Sequence, residues 1–346
     1  MTSPYQRLPR RSFWKTGVAS RDLASVFQPR FAITKAQPIA TAGSCFAQHV
    51  ARYLRRAGCQ VIDTEPAPYG LRDETARRFG YGLYSARYGN IYTARQLLQL
   101  LQECFGQLRR DGVVWERDGR FFDALRPAVE PSGLDSAEEV LAHRADHIRR
   151  ARQTFESAAM LVFTLGLTEG WVRKSDGLTY PTAPGTIAGD FDPDLHGFVN
   201  FGFPEVLADL TEACRLLKTH NPGCKLLLTV SPVPLAATAS PHHVLVANSY
   251  SKAVLRAAAG ALCEACEDVD YFPSYEIIAT PFLGERFYAE DLRTVTEAGV
   301  AMVMRLFMEA YGLALDSGEA PAAANDADGA EEDALCDEAL LEAFAP

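Results

Sequence analysis

The feature that most limits this chain is a recurring alternation of short apolar runs with amphipathic helical stretches. Residues 38–42 form the first run. Phe46, Val50, Tyr53, Leu54 and Ala57 then recur at helical spacing over 45–57. Gly58 stands where a helix-stopping left-handed residue is expected, and residues 59–64 read as a second strand. Further apolar runs lie at 160–165, 225–230 and 269–272. Helices are expected over 93–105, 136–157, 204–219, 244–267 and 296–311. Strand, helix, strand in this order requires parallel neighbours joined by right-handed crossovers. The expected fold class is therefore α/β: three α/β/α layers around a doubly wound, mainly parallel sheet of about five strands, flavodoxin-like.

Two long segments interrupt the alternation and read as loop insertions. Residues 65–92 are rich in Gly, Pro and Tyr, and residues 170–200 carry three prolines. Residues 113–125 predict a β-hairpin turning at Asp118-Gly119. The domain reading is an irregular lead-in over 1–36, with Trp14 and Phe27 packing on the body, a single domain over 37–315, and an acidic, disordered tail over 316–346. The tail's end, 334–344, carries Leu335, Leu340, Leu341 and Phe344, a pattern for a short helix docking on the body or on a protein partner.

The chain has 346 residues, 48% hydrophobic and 23% charged, enough for one large core. Its net charge of −10 misleads, because residues 316–346 hold ten acids and no base. The remaining acids equal the 34 bases, so no basic excess exists to bind nucleic acid. No run approaches the roughly 18 apolar residues of a membrane span. The first fifteen residues lack the apolar core of a secretory signal, which predicts a cytoplasmic protein. The eight cysteines are scattered, which reads as reduced and mostly buried thiols. Cys263 and Cys266 have C-x-x-C spacing inside a helical pattern with no second ligand pair nearby, so no metal and no cofactor is expected.

In an open α/β sheet the ligand site lies beyond the carboxyl ends of the strands. That selects Ser44, the loop through Asn90, residues 166–169, residues 231–234 and the stretch after Tyr271. Ser44 follows Gly43 at a strand-to-helix turn, where free N–H groups and the helix dipole favour an alkoxide or an oxyanion. Serine is also a favoured N-cap, which needs no catalysis. Cys45 and His49 are weaker alternatives as nucleophile and base. His143, His147 and His220 fall on helices and are expected to be exposed.

The block Gly43-Ser44-Cys45-Phe46-Ala47 resembles the signature of the GSCFA family, which is distantly similar to GDSL or SGNH hydrolases. Gly89-Asn90-Ile91-Tyr92, Thr164-Leu165-Gly166, residues 229–234, Ser251-Lys252 and residues 271–276 look like the same family. The resemblance spans about residues 30–310. It implies Ser44 as nucleophile of a serine esterase or O-acyltransferase, acting on a small-molecule or glycan ester. It further implies oxyanion or substrate contacts from Gly89, Asn90, Gly166 and Thr168. Two departures stand out. Thr168 occupies the place of an asparagine donor, and Asp291-Leu292-Arg293-Thr294 has threonine where the related hydrolases carry histidine. The base is then sought among Asp291, Glu169, His242 and His243. A non-catalytic binding or scaffold protein is the alternative. Ser251-Lys252 reads as an anion-binding or salt-bridging pair, and Glu276 as a partner for an arginine such as Arg293.

Overall fold

The computed structural model describes residues 3–19, 23, 25–283, 287–313 and 337–345. Along the chain come α1 (Trp14–Gly17), β1 (Ile39–Gly43), α2 (Phe46–Arg56), α3 (Asp73–Arg78) and α4 (Ala94–Cys104). Next are β2 (Val114–Arg117), β3 (Arg120–Asp123), α5 (Ala137–Ser157), β4 (Met160–Leu165), β5 (Glu169–Arg173), β6 (Thr179–Tyr180) and β7 (His196–Asn200). The chain continues through α6 (Phe203–His220), β8 (Lys225–Val230), α7 (Val244–Ala265), β9 (Val269–Phe272), α8 (Ser274–Ala279) and α9 (Glu297–Ala310).

The apolar runs pair into one parallel sheet in the order β1-β4-β8-β9. Side chains alternate between its faces. Ala40, Leu161, Phe163 and Leu228 point into a core shared with α4, α5, α6 and α7. Ile39, Met160, Val162, Leu227 and Phe272 point into a second core with α2, α8 and α9. Both faces are covered, so the strands are near-continuously buried. Helix starts follow their capping residues. Thr93 and Gln96 form a capping box at α4, and Ser136 and Thr296 cap α5 and α9. Phe27 is buried against Phe272 and Tyr311, whereas Trp14 is exposed and meets Phe282 edge-on.

Several expectations need correction. Residues 59–64 do not form a full strand. They pair with β1 through one bridge, Val61 with Ile39. Asp63 then accepts the Glu65 N–H in a local turn that ends the pairing. Residues 170–200 are not mere loop, because β5, β6 and β7 pair there as an antiparallel sheet. The 65–92 segment holds α3, and residues 274–279 turn into α8 rather than ending a strand. The hairpin β2–β3 forms as expected, with Asp118 and Gly119 both at positive φ. Of the acidic tail, 316–336 lies outside the described residues. Asp337–Phe344 is a 3-10 helix, and its Glu338 meets Arg293 at 3.5 Å.

One glycine sets the turn from β1 into α2. Gly43 has φ +134, and a Cβ there would lie 2.4 Å from the Thr164 carbonyl oxygen of β4. Gly58 also has positive φ, but open space surrounds it. Gly43→Ala is expected to lose about 3–5 kcal/mol, combining backbone strain and collision, while Gly58→Ala loses only about 1–2 kcal/mol. Denaturant melts of the two variants check this. Equal losses would show that the contact with Thr164 is unimportant.

Candidate active site

Four segments converge beyond the carboxyl ends of β1, β4 and β8. Ser44 N–H donates to Thr164 O at 2.9 Å, extending the β1–β4 pairing by one residue. Ile91 N–H donates to Gly43 O, and Tyr92 O accepts from both Gly166 N–H and Leu167 N–H. The 88–93 loop is thereby laid across the ends of β1 and β4. Gly166 comes so close to Ser44 that a Cβ would stand 3.1 Å from the Ser44 Cβ and 3.0 Å from Tyr92 Cδ1.

Ser44 itself is buried, and its Oγ has no hydrogen-bond partner among the described residues. It does not cap α2. Cys45 holds the N-cap position, and no side chain makes a cap bond there. The structural explanation for a serine at this turn is therefore absent, and a buried orphan hydroxyl calls for another.

The surroundings of each expected partner differ. Tyr84 OH, which lies 3.3 Å from Ser44 O, donates to Asn90 Oδ1 at 2.5 Å and accepts from Gln48 Nε2. Asn90 is thus fixed beside the Ser44 backbone. Gly89 has φ +69 and faces Arg126 and Val129 on the supporting side of the loop. The Gly166 N–H is committed to Tyr92. Thr168 is fully buried, its N–H donating to Ser251 Oγ and its hydroxyl to Asn200 Oδ1 at 2.7 Å. Lys252 Nζ donates to Gly166 O and Val233 O, both at 2.7 Å, and so ties the segments after β4 and β8 together. The expected anion site at Ser251-Lys252 is instead a clamp on backbone groups.

The four candidate bases are not brought together. Glu169 is buried, accepts Thr238 Oγ1 at 2.6 Å, and burial pushes its pKa up. Asp291 lies in an exposed loop. Its carboxylate accepts from Arg293 N–H, Thr294 N–H and the Thr294 hydroxyl. Although some burial raises its pKa, these bonds hold it below the usual carboxylate range. His242 and His243 are exposed, and His243 Nδ1 accepts Leu245 N–H as the N-cap of α7. None of the four is hydrogen-bonded to Ser44. His49 packs on Phe46, with Arg52 donating to its Nδ1, and burial followed by the Arg52 charge lowers its pKa to about 4.

Sequence reasoning missed the ionic cluster under the 84–92 loop. His147, expected to be exposed, is buried, and its Nδ1 lies 2.7 Å from Glu65 Oε2. Glu65 also accepts Arg87 N–H. Arg87 donates to Phe79 O, Val129 O and Glu130, and Arg126 donates to Arg87 O and Asp123. Arg144 bridges Asp123 and Glu103. Despite complete burial, Arg144 and Arg126 hold Asp123 down at about 2. Two smaller expectations also change. Glu276 pairs with Arg256 and Tyr271, not Arg293. His220 stacks on Phe105 with ring centroids 3.7 Å apart.

The sequence profile of the GSCFA family matches residues 38–307, and the chain belongs to that family. No curated protein and no solved structure matches it. Among the described residues no helix is long and apolar enough to cross a membrane, and no group of metal-ligating side chains occurs.

The buried imidazole makes stability depend on pH. Burial and Arg126 lower the His147 pKa to about 4, against the raising effect of Glu65. The unfolded imidazole binds its proton near pH 6.5. Between those values the unfolded state holds the extra proton, so stability falls as pH drops from about 6.5 to 4. The loss is on the order of 3 kcal/mol for this group. His147→Gln should flatten the dependence of the melting temperature on pH across that window, leaving the part due to His49. An unchanged slope would remove His147 from the account.

Proposed function

We propose that this protein is a serine esterase or O-acyltransferase of the SGNH type, passing an acyl group through an ester on Ser44. The observation that carries the reading is the Ser44 Oγ, buried at the strand-to-helix turn and relieved of any capping or hydrogen-bonding role. Gly166 packs so closely on Ser44 that only a glycine fits beside its Cβ, and Asn90 is held against the same turn. Asn90 is the proposed substrate-side group, while Gly89, Gly166 and Thr168 shape the segments around it.

Glu169 is the proposed base. It lies three residues beyond Gly166, at most about 10 Å along the chain. It is the one candidate among the four that is both buried and raised in pKa. A carboxylate of raised basicity accepts a hydroxyl proton more readily than an ordinary one. In this arrangement Ser44 is not bonded to it, so activation belongs to the substrate-bound state. Asp291, His242 and His243 are the remaining candidates for that role.

A second reading, a binding or scaffold protein that keeps the architecture without turnover, draws support from that same missing bond. The Thr168 hydroxyl, already given to Asn200, supports it as well.

Two measurements separate these readings. A fluorophosphonate probe should label the wild type and not Ser44→Ala, and equal labelling of both would end the Ser44 mechanism. With a short-chain aryl ester, Glu169→Gln should lower kcat/KM about 10²–10³-fold. The wild-type acid limb should sit above the ordinary glutamate range, because the base must be deprotonated and burial raises its pKa. Absence of any turnover that depends on Ser44 favours the binding protein.

A further inference from the structure

The antiparallel sheet in the 170–200 region has one face turned to the core and one turned out. Gly170, Val172, Val199 and Thr179 make the inner face. A Cβ on Gly170 would meet Thr179, Phe201 and Val199, and both valines pack on the main core. Residues directly opposite in antiparallel strands share a face. The outer face is therefore read from the register: Glu169 beside Asn200, then Trp171 beside Phe198 and Tyr180, then Arg173 beside His196.

That outer row is aromatic; Tyr180 is buried against Trp115 of the β2–β3 hairpin, and the remaining rings are partly exposed. Trp171 and Phe198 are half-buried, with ring centroids 5.7 Å apart. Phe191 is 46% exposed and meets Trp171 edge-on at 5.2 Å. His196 packs against Tyr180 and Phe191. At the far end the row opens into a surface cleft of about 510 Å³, lined among others by Tyr180, His196, Arg173, Lys174, Asp190 and Asp194. Its two cations and two carboxylates balance. The other end of the row is Glu169 and Asn200, joined to Thr168 and, two residues earlier, to the glycine that touches Ser44.

We propose that this outer face is a glycan-binding platform that presents a neutral oligosaccharide to the Ser44 site. The C–H face of a pyranose carries partial positive charge and stacks on the electron-rich face of an aromatic ring. Its hydroxyls need hydrogen-bond partners at the ring edge, which Asp190, Asp194 and Lys174 supply, with Arg173 completing the charge balance. Strand geometry puts Trp171 about 7 Å and His196 about 13 Å beyond the Glu169–Asn200 pair, so a bound chain runs toward the nucleophile. An apolar acyl chain or a membrane surface would strip water from the Asp190 and Asp194 carboxylates without replacing it. The proposal deepens the acyl-transfer reading by naming its substrate class, but the binding it describes is measurable without turnover.

The test is a calorimetric titration of the full chain with the β-linked tetrasaccharides of glucose and of N-acetylglucosamine. At least one is expected to bind saturably. Trp171→Ala should weaken it about tenfold, while fluorophosphonate labelling of Ser44 is unchanged. Phe191→Ala combined with Asp194→Asn, both at exposed positions, should weaken it as well and guards against misfolding of the tryptophan variant. The proposal is overturned if neither sugar binds, or if both variants bind as wild type. It is also overturned if the substitutions only dissolve a self-associated dimer. Sugar binding without labelling of Ser44 would keep the platform and remove the acyl-enzyme. Labelling without sugar binding would do the reverse.

Discussion

The close approach of Gly43 to the Thr164 carbonyl is the contact on which the rest of the site depends. With no side chain in the way, the backbone at the end of β1 lies flat against β4 while φ swings positive. Ser44 N–H can then still bond to Thr164 O, as though the strand continued, and α2 begins at once. Any larger residue would push the two strands apart at the level where Ser44 leaves the sheet. The same approach frees the Gly43 carbonyl to take Ile91 N–H. The loop that carries Asn90 is thus registered to the serine by backbone bonds, before any side chain takes part.

Backbone bonds alone do not hold a loop as long as 65–92. Its inner side rests on Glu65, Arg87, Asp123, Arg126, Arg144 and His147, all buried. Burying so many charges is tolerable only because each has a hydrogen-bonded counterpart, and removing one member leaves its partner stranded. The cluster adds little net stability for its size. It does define one position for the loop, since Arg87 and Arg126 bond to main-chain carbonyls rather than only to carboxylates. Lys252 plays the matching part on the other side of the site, where its ammonium joins Gly166 to Val233. The segments around Ser44 are thus pinned from behind by cations on carbonyls, and the rigidity of the turn does not require Ser44's own hydroxyl.

Much of this architecture was legible in the sequence, and the misses have physical causes. The long apolar runs and capped helices gave the sheet and its layers, because burial on both faces leaves an unmistakable pattern. The small outer sheet did not show. Gly170 and Gly197 interrupt its strands, β6 is two residues long, and its outward row is aromatic where a half-exposed strand is expected to be polar. His147 was misread for a related reason. The buried stripe of α5 runs Val140, Arg144, His147, Ala151, Thr154 and Phe155, with correct helical spacing. Three of its members are polar, and only the acids supplied from 65, 103 and 123 make the burial of Arg144 and His147 possible. The position of Ser44 at the end of β1 was readable, but the state of its hydroxyl was not. Tyr84 and Asn200 gave no signal, and Lys252 was singled out for the wrong role, because each acts through a partner distant in sequence.

The orphan hydroxyl and the aromatic face bear on one another. A serine kept only to start a helix would spend its oxygen on an N–H of the first turn, and Ser44 does not. A small sheet kept only to cover the core would turn its aromatic side chains inward. This one presents its glycines and valines to the core, buries Tyr180 under the β2–β3 hairpin, and leaves Trp171 and Phe198 partly exposed. Both departures lie along one line, from the end of β1 through Gly166 and Thr168 to Trp171. Their alignment suits the proposed arrangement, in which a hydroxyl meets the end of a ligand held along the partly exposed rings. The Thr168–Asn200 bond is the joint between the two parts, since it fixes the first outward pair of the small sheet to the segment that lines Ser44.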